Sequence, residues 1–458
     1  MATPKPLNLD RRAIWAIALP AMVTNVATAL IGLGDMWIVG RLEDAATQGA
    51  VDVGARLFAV LFTVMNFLKT GTTGLVAQAG TRAGEHGGES AQARLLARGI
   101  AIGLTIAVVL LLAKPLLMPL ALDALGAKGE VLAAARTYAN IRYWTAPGVM
   151  LNLALMGFLV GRRQMIAVLW IEVAYNVINV ALGLLLALQL QWGIAGIGWS
   201  SFIAEYAKLT ALLAMVTTGS AGASLLAALR DRAVLRWDAI RPFLSLNRDL
   251  FLRTLVLTTS LAALTRLSAE RGPEVLAANG IIYQLFIFSA LLLDGFENAA
   301  QVLNGERLGA GDRAGFASYV RAILWRGLVA AAILSAGFLL FADPILASFA
   351  ATEGVAREAM RQALWLVAIP FAGVSSFVFD GVFVGASWTR AMLLSMAGAA
   401  VVFALALWLT WPLGNGALWG SFALFLLSRA VFQALLLPGR MRRSFANGAA
   451  EPPRPREV

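Results

Sequence analysis

The chain contains no cysteine and a single histidine, His86, and only 14% of its 458 residues are charged. Without cysteine there is no disulfide framework, no thiolate metal site and no cysteine nucleophile. With His86 alone in a polar stretch, histidine-based catalytic triads and multi-histidine metal centres are excluded too. Charge is scarce beside a soluble domain, where roughly 25% of residues carry it. Apolar residues take its place, at 59% of the chain with a mean hydropathy of +0.75. A membrane-spanning helix needs about 20 such residues, so the length holds about twelve spans with short loops and no sizeable catalytic domain. The expected class is all-α, a polytopic membrane protein that is not an enzyme and carries no cofactor.

The net charge of +11 does not read as a nucleic-acid footprint, which needs a continuous basic face on a soluble fold. The basic residues sit instead in short loops and in both tails, where a membrane protein meets the cytoplasmic leaflet. Lys5, Arg11 and Arg12 precede an apolar run that lacks a small-residue cleavage site, so it reads as the first span, not as a signal peptide.

Helix-length apolar runs fall near residues 13–39, 53–79, 95–120, 131–160, 165–189 and 193–217, then near 249–268, 275–303, 319–342, 358–386, 391–411 and 415–437. Alternate connections carry Arg82 and Arg94, Arg162 and Arg163, the Arg230 to Arg248 cluster, Arg307 and Arg313, and Arg390. The positive-inside rule makes those loops cytoplasmic. The others mix signs, as in Glu43, Asp44 and Asp52 or Glu270, Arg271 and Glu274. Both termini then face the cytoplasm of a cell whose inner (plasma) membrane holds the protein. The expected organisation is an N-terminal lobe over 1–218, a linker over 219–247, a C-terminal lobe over 248–437 and a disordered tail over 438–458 that includes Pro452 to Arg456. In the linker, Val234, Leu235, Trp237, Ile240, Phe243 and Leu244 among Arg232, Arg236 and Arg241 suggest an interfacial amphipathic helix, with an unstructured basic linker as the alternative.

The two halves show an internal repeat. Gly196, Trp199, Ser201 and Phe202 recur as Gly416, Trp419, Ser421 and Phe422 at an offset of 220; Gly157 and Gly161 recur as Gly381 and Gly385; Ala77-Gln78 matches Ala300-Gln301. Six spans per half keep both halves in one orientation, implying a pseudo-two-fold along the membrane normal with a cavity between lobes.

Ionisable residues inside spans cost at least about 2.5–3.5 kcal/mol each on insertion scales, so they face protein or a water-filled cavity. In the first half these are Asp35, Lys69, Glu172, Glu205 and Lys208; in the second, Arg253, Arg266, Asp294, Glu297, Asp380 and Arg429. Glu205 and Lys208, three apart, can neutralise each other, and Arg253 is close enough to the inner surface to snorkel. Asp35 is flanked by apolar residues in the outer part of the first helix. It reads as a proton carrier, as a ligand for a small cation such as Na⁺, or as a helix-end acid reaching outer water. Asn176 and Asn179 can supply neutral oxygens beside it. Asp294 heads a polar stripe with Glu297, Asn298 and Gln301 on one helix face. Asp380 is isolated among apolar neighbours and needs a partner on another helix; its neighbour Gly381 allows close helix packing. Lys69, Glu205, Gln284, Asp294 and Asp380 form the candidate substrate-cavity set, with Lys69 or Arg266 to offset the acids.

Asn66-Phe67-Leu68-Lys69-Thr70-Gly71-Thr72-Thr73-Gly74-Leu75-Val76-Ala77-Gln78, Ile203-Ala204-Glu205-Tyr206, Asn247-Arg248-Asp249-Leu250-Phe251-Leu252-Arg253-Thr254, Leu276-Ala277-Ala278-Asn279 and Leu293-Asp294-Gly295-Phe296 resemble the DinF-like branch of the multidrug and toxic compound extrusion (MATE) family. The resemblance runs from Pro20 to about Leu436. It implies a V-shaped twelve-helix exporter, expected as a monomer in the lipid bilayer, that moves organic cations or other amphipathic toxic compounds against proton or sodium influx. Asp35 matches the family's coupling Asp and Asn179 its assisting Asn, while Gly183 stands where a second carboxylate is expected. That departure favours proton coupling through Asp35 over a two-carboxylate sodium site. Lys69 matches a basic residue common in the branch. The Asp-Arg-x-Gly-Arg-type motif of the major facilitator fold is absent at Gly80-Thr81-Arg82-Ala83-Gly84-Glu85, and no catalytic cluster marks a membrane enzyme. A flippase-like exporter of a lipid or lipid-linked compound is the alternative, kept open by Lys69, Arg253 and Arg266.

Overall fold

The computed structural model describes residues 10–41, 45–82, 88–350 and 352–447; at 29–37, 39–40, 45–46 and 48 it describes the backbone alone. His86 and the proposed tail segment Pro452 to Arg456 lie outside the described residues, as does the side chain of Asp35. Among the described residues there is no strand. Each expected span has a helical counterpart. They are α1 (Arg11–Gly40), α2 (Ala45–Met65) with α3 (Phe67–Thr81), α4 (Gly88–Ala124), α5 (Gly129–Arg142) with α6 (Ala146–Gly161), α7 (Met165–Gly183) and α8 (Gly193–Thr218). After the short α9 (Gly222–Arg230) follow α10 (Trp237–Ala269), α11 (Pro273–Gly309), α12 (Arg313–Phe349), α13 (Glu353–Arg361) with α14 (Ala363–Gly385), α15 (Thr389–Thr410) and α16 (Asn415–Asn447). By length and composition ten described segments can cross a membrane, or eleven with α8 and α9 taken together; α1, at 30 residues, completes twelve.

Local chemistry sets the ends and breaks. Gly272, at φ 105°, makes the turn before α11, and Pro273 opens it, where a missing N–H costs nothing. The Asp312 carboxylate accepts from the Gly315 N–H at 2.8 Å to cap α12, and the Thr352 hydroxyl accepts from the Val355 N–H at 3.3 Å to cap α13. Pro344 follows the non-helical Phe341 (φ −121°, ψ 15°), which kinks α12. A wide turn over Leu184–Gln189 extends α7.

The connection between halves differs from the expected interfacial helix. The separate helix is α9, bent 99° from α8, whereas Trp237, Ile240, Phe243 and Leu244 already belong to α10. Pro242, inside α10 near its start, removes one intrahelical hydrogen bond without ending the helix. In α9, Leu225 and Ala228 are buried while Leu226 and Leu229 are half exposed, so one side of the helix packs and the other is open.

Packing divides the chain into one unit of Val23–Gly80 with Gly84–Asn247 and another of Met1–Met22, Thr81–Ala83 and Arg248–Val458. The start of α1 thus packs with the second half: Trp15 meets Phe296 edge-on at 5.5 Å, and a methyl at Gly295 would stand 2.6 Å from the Ala18 carbonyl oxygen.

Both units use the same glycine device. In the first, methyls at Gly157 and Gly161 of α6 would stand 2.5 and 2.8 Å from the carbonyl oxygens of Lys69 and Thr73 on α3. In the second, Gly381 and Gly385 of α14 press on the carbonyls of Glu297 and Gln301 on α11. Glycine there lets two backbones approach closely. The glycines are 224 residues apart and their carbonyl partners 228, so packing equates Lys69 with Glu297. This corrects the register in which Ala77-Gln78 matches Ala300-Gln301: in an alanine-rich chain that dipeptide match does not coincide with the contact.

Candidate functional site

In the first unit α7 turns Asn176 and Gly183 toward α1, and Asn179 lies at helical spacing beside them. Asn176 Nδ2 donates to the Ala27 carbonyl at 2.9 Å, and a methyl at Gly183 would stand 2.8 Å from Ile38 Cδ1. Asn179, 1% exposed, donates to Ser201 Oγ at 3.3 Å. The Oδ1 atoms of Asn176 and Asn179 are buried with no hydrogen-bond partner among the described residues. Such acceptors are costly unless a donor or cation reaches them. Asp35 lies three residues before Ile38 on α1.

A second polar cluster of the same unit joins α6, α7 and α8. Glu205 and Lys208 do not simply pair with each other. Lys208 bonds Glu172 of α7 and stands 4.8 Å over the Tyr175 ring, while Glu205 Oε1 accepts from Asn152 Nδ2 at 2.7 Å. Partners one helix away win because all four groups are turned inward, Glu172, Asn152 and Glu205 being at most 7% exposed. Tyr175 lies beside Glu205. Lys69 is half-buried on α3, its carbonyl also accepting from Thr73 Oγ1 at 3.0 Å.

In the second unit Asp380 is fully buried and has the interhelical partners that its apolar neighbours demand. Arg253 of α10 and Arg429 of α16 both bond its Oδ2, and Gln433 Nε2 donates to its Oδ1 at 2.6 Å. Arg253 therefore does not snorkel; its long side chain reaches inward because a buried carboxylate outcompetes the surface. Nor does Arg266 offset the acids, since it is exposed and lies 3.9 Å from Glu270. Glu297 lies within electrostatic reach of Asp294, Asp380, Arg253 and Arg429. Asp294 and Glu297 are half-buried on α11, whereas Gln284 is exposed and about 15 Å further back along that helix. Arg429 Nε and Nη1 and Arg253 Nε are buried donors without an acceptor among the described residues. Asn279, in the Leu276-Ala277-Ala278-Asn279 motif, is a structural hub: it donates to Ser268 Oγ at 2.8 Å and accepts from Trp419 Nε1 at 2.8 Å.

Sequence reasoning missed Gln433, Asn152 and Tyr175. Gln433 had a signal, since it lies four residues after Arg429 and so shares its helix face. Asn152 and Tyr175 had none.

The family profile MatE matches residues 20–185 and 250–409. DNA damage-inducible protein F of Escherichia coli (strain K12) is 34% identical over 448 residues, covering 96% of this chain and 94% of that one. The Probable multidrug resistance protein NorM of Rhizobium meliloti (strain 1021) is 26% identical over 89% of this chain and 86% of its own. Among solved structures, the crystal structure of MATE in the bent conformation superposes with a TM-score of 0.82 at 17% identity, covering 98% of this chain and all of that one. Profile, relatives and fold agree over nearly the whole length: the chain belongs to the MatE family of multidrug and toxic compound extrusion transporters.

Proposed function

We propose that the protein is a secondary active antiporter that exports organic cations and other amphipathic toxic compounds, driven by proton influx through Asp35. The observation that carries the proton reading is the face of α7. It offers neutral oxygens, the partnerless Oδ1 atoms of Asn176 and Asn179, and at the position expected for a second acid it has Gly183, pressed against Ile38 of α1. Sodium needs several oxygens, charged ones above all, to replace its hydration shell. A lone carboxylate among amides suits a proton better, since a protonated acid is neutral and donates one hydrogen bond to such an oxygen. Protonation then changes both the charge and the bonding of α1, and the two protonation states favour different arrangements of the helices, as alternating access requires.

The protein is read as monomeric and multi-pass in the inner (plasma) membrane with both termini cytoplasmic, supported by the arginine-bearing loops that alternate along the chain. Purified protein in liposomes tests the energy source, using imposed pH or Na⁺ gradients and a panel of cationic and anionic dyes. Cationic dye should move with the pH gradient and without sodium. Movement that follows Na⁺ at fixed pH and ignores the pH gradient refutes the reading.

A further inference from the structure

The connection from α8 into α10 is folded onto the first unit. On its inner side Leu225, Ala228, Val234 and Phe243 are buried. Arg98 of α4 donates from Nε to the Val234 carbonyl at 3.1 Å, and a methyl at Gly99 would stand 3.8 Å from the Phe243 ring. These contacts fix the turn Arg232–Leu235 and the first turns of α10 beside the N-terminal part of α4, where two spans begin.

The outer side mixes two kinds of group. Leu226, Leu229 and Leu235 are half exposed and Trp237 is 65% exposed; a run of open apolar side chains of this kind marks a contact surface. Interleaved with them are Arg230, Arg232, Arg236 and Arg241, all exposed, and none of the four is in an ion pair among the described residues. The same stretch has two acids, Asp231 and Asp238, and Asp231 is engaged in accepting from the Ala233 N–H at 2.9 Å. The face therefore has surplus positive charge beside open leucine and tryptophan.

That combination selects its occupant. A nucleic acid or an acidic protein segment would answer the arginines and leave the apolar side chains in water. A zwitterionic lipid would cover the apolar side chains and bring no net charge for the arginines. An anionic phospholipid meets both: its phosphate oxygens accept from guanidinium N–H groups, and its glycerol and upper acyl carbons lie against leucine and an interfacial tryptophan. We propose that the outer side of this connection is a binding site for an anionic phospholipid of the membrane surface at that end of the spans. The arginines set the preference for headgroup charge, and Leu226, Leu229, Leu235 and Trp237 hold the lipid at the depth of the interface.

Native mass spectrometry of the purified full chain, released from detergent micelles with added phosphatidylglycerol or phosphatidylcholine of the same acyl chains, tests the site. Wild type should retain phosphatidylglycerol in preference to phosphatidylcholine. Arg232→Gln combined with Arg236→Gln should weaken the tightest phosphatidylglycerol binding step at least about tenfold, whereas Arg357→Gln, at an exposed arginine of α13, should leave it unchanged. Arg232→Lys with Arg236→Lys keeps the charge and should keep the preference; it serves if the glutamine pair does not accumulate folded. Leu229→Ser with Trp237→Ser should also weaken phosphatidylglycerol retention, which a purely electrostatic site would not show, and inorganic phosphate at the lipid's concentration should displace nothing. Equal retention by wild type and the glutamine pair overturns the proposal, as does an equal loss in Arg357→Gln or in the lysine pair. So does displacement of the lipid by inorganic phosphate alone.

Discussion

Each unit of the molecule buries a charge cluster, and the two distribute their bonds differently. In the first, the acids Glu172 and Glu205 outnumber the one ammonium, Lys208, and neutral groups, Asn152 and the Tyr175 ring, make up the difference. In the second, one carboxylate, Asp380, holds two guanidiniums and an amide. The scaffold beneath is shared: glycines on α6 and on α14 press against the carbonyls of Lys69 and of Glu297. At equivalent positions of the repeat, one unit has a cation and the other an acid. Backbone packing preserves the fold of a repeat while the charges above it diverge, so chemistry assigned to one lobe does not transfer to the other.

The largest effect expected from breaking this comparison is at Asp380. Replacing it by Ala leaves two buried guanidiniums without their carboxylate, which should cost about 3–5 kcal/mol of stability, read as a lowered unfolding temperature in detergent. Glu172→Gln should cost less, about 1–3 kcal/mol, because Lys208 keeps the Tyr175 ring and a nearby Glu205; a loss equal to that of Asp380→Ala would erase the distinction between the clusters. Gly157→Ala and Gly381→Ala sharpen the shared part. Each forces a methyl against a backbone carbonyl and should cost about 1–3 kcal/mol, and similar losses at both sites are the signature of a common scaffold. Smallest of all, Arg266→Ala should change stability by no more than about 0.5 kcal/mol, as expected of an exposed pair four residues apart.

Hydropathy made the twelve spans legible because a bilayer imposes a length and an apolar composition on each one. It was blind to breaks inside a span, such as Asn66 between α2 and α3, and to where an interfacial helix ends and a span begins, since Trp237 to Leu244 suit both. The need of Asp380 for an interhelical partner followed from its apolar neighbours. Which cations would answer did not, because the reach of Arg253 and Arg429 across helices is decided by packing angles that no one-dimensional pattern encodes. The same blindness paired Glu205 with Lys208, neighbours in sequence whose bonds go to other helices. On α7, Asn176 and Asn179 were legible as amides spaced for one face; that both leave an oxygen unsatisfied was visible only once α1 and α8 took their amide donors.

Proton-driven export through Asp35 is tested most directly by efflux of a cationic dye from liposomes under an imposed pH gradient, comparing wild type with Asp35→Asn. The amide keeps the shape of the acid but binds no proton. The variant should fold, insert and bind dye while efflux driven by the gradient is lost. Efflux at the wild-type rate from Asp35→Asn would contradict the account.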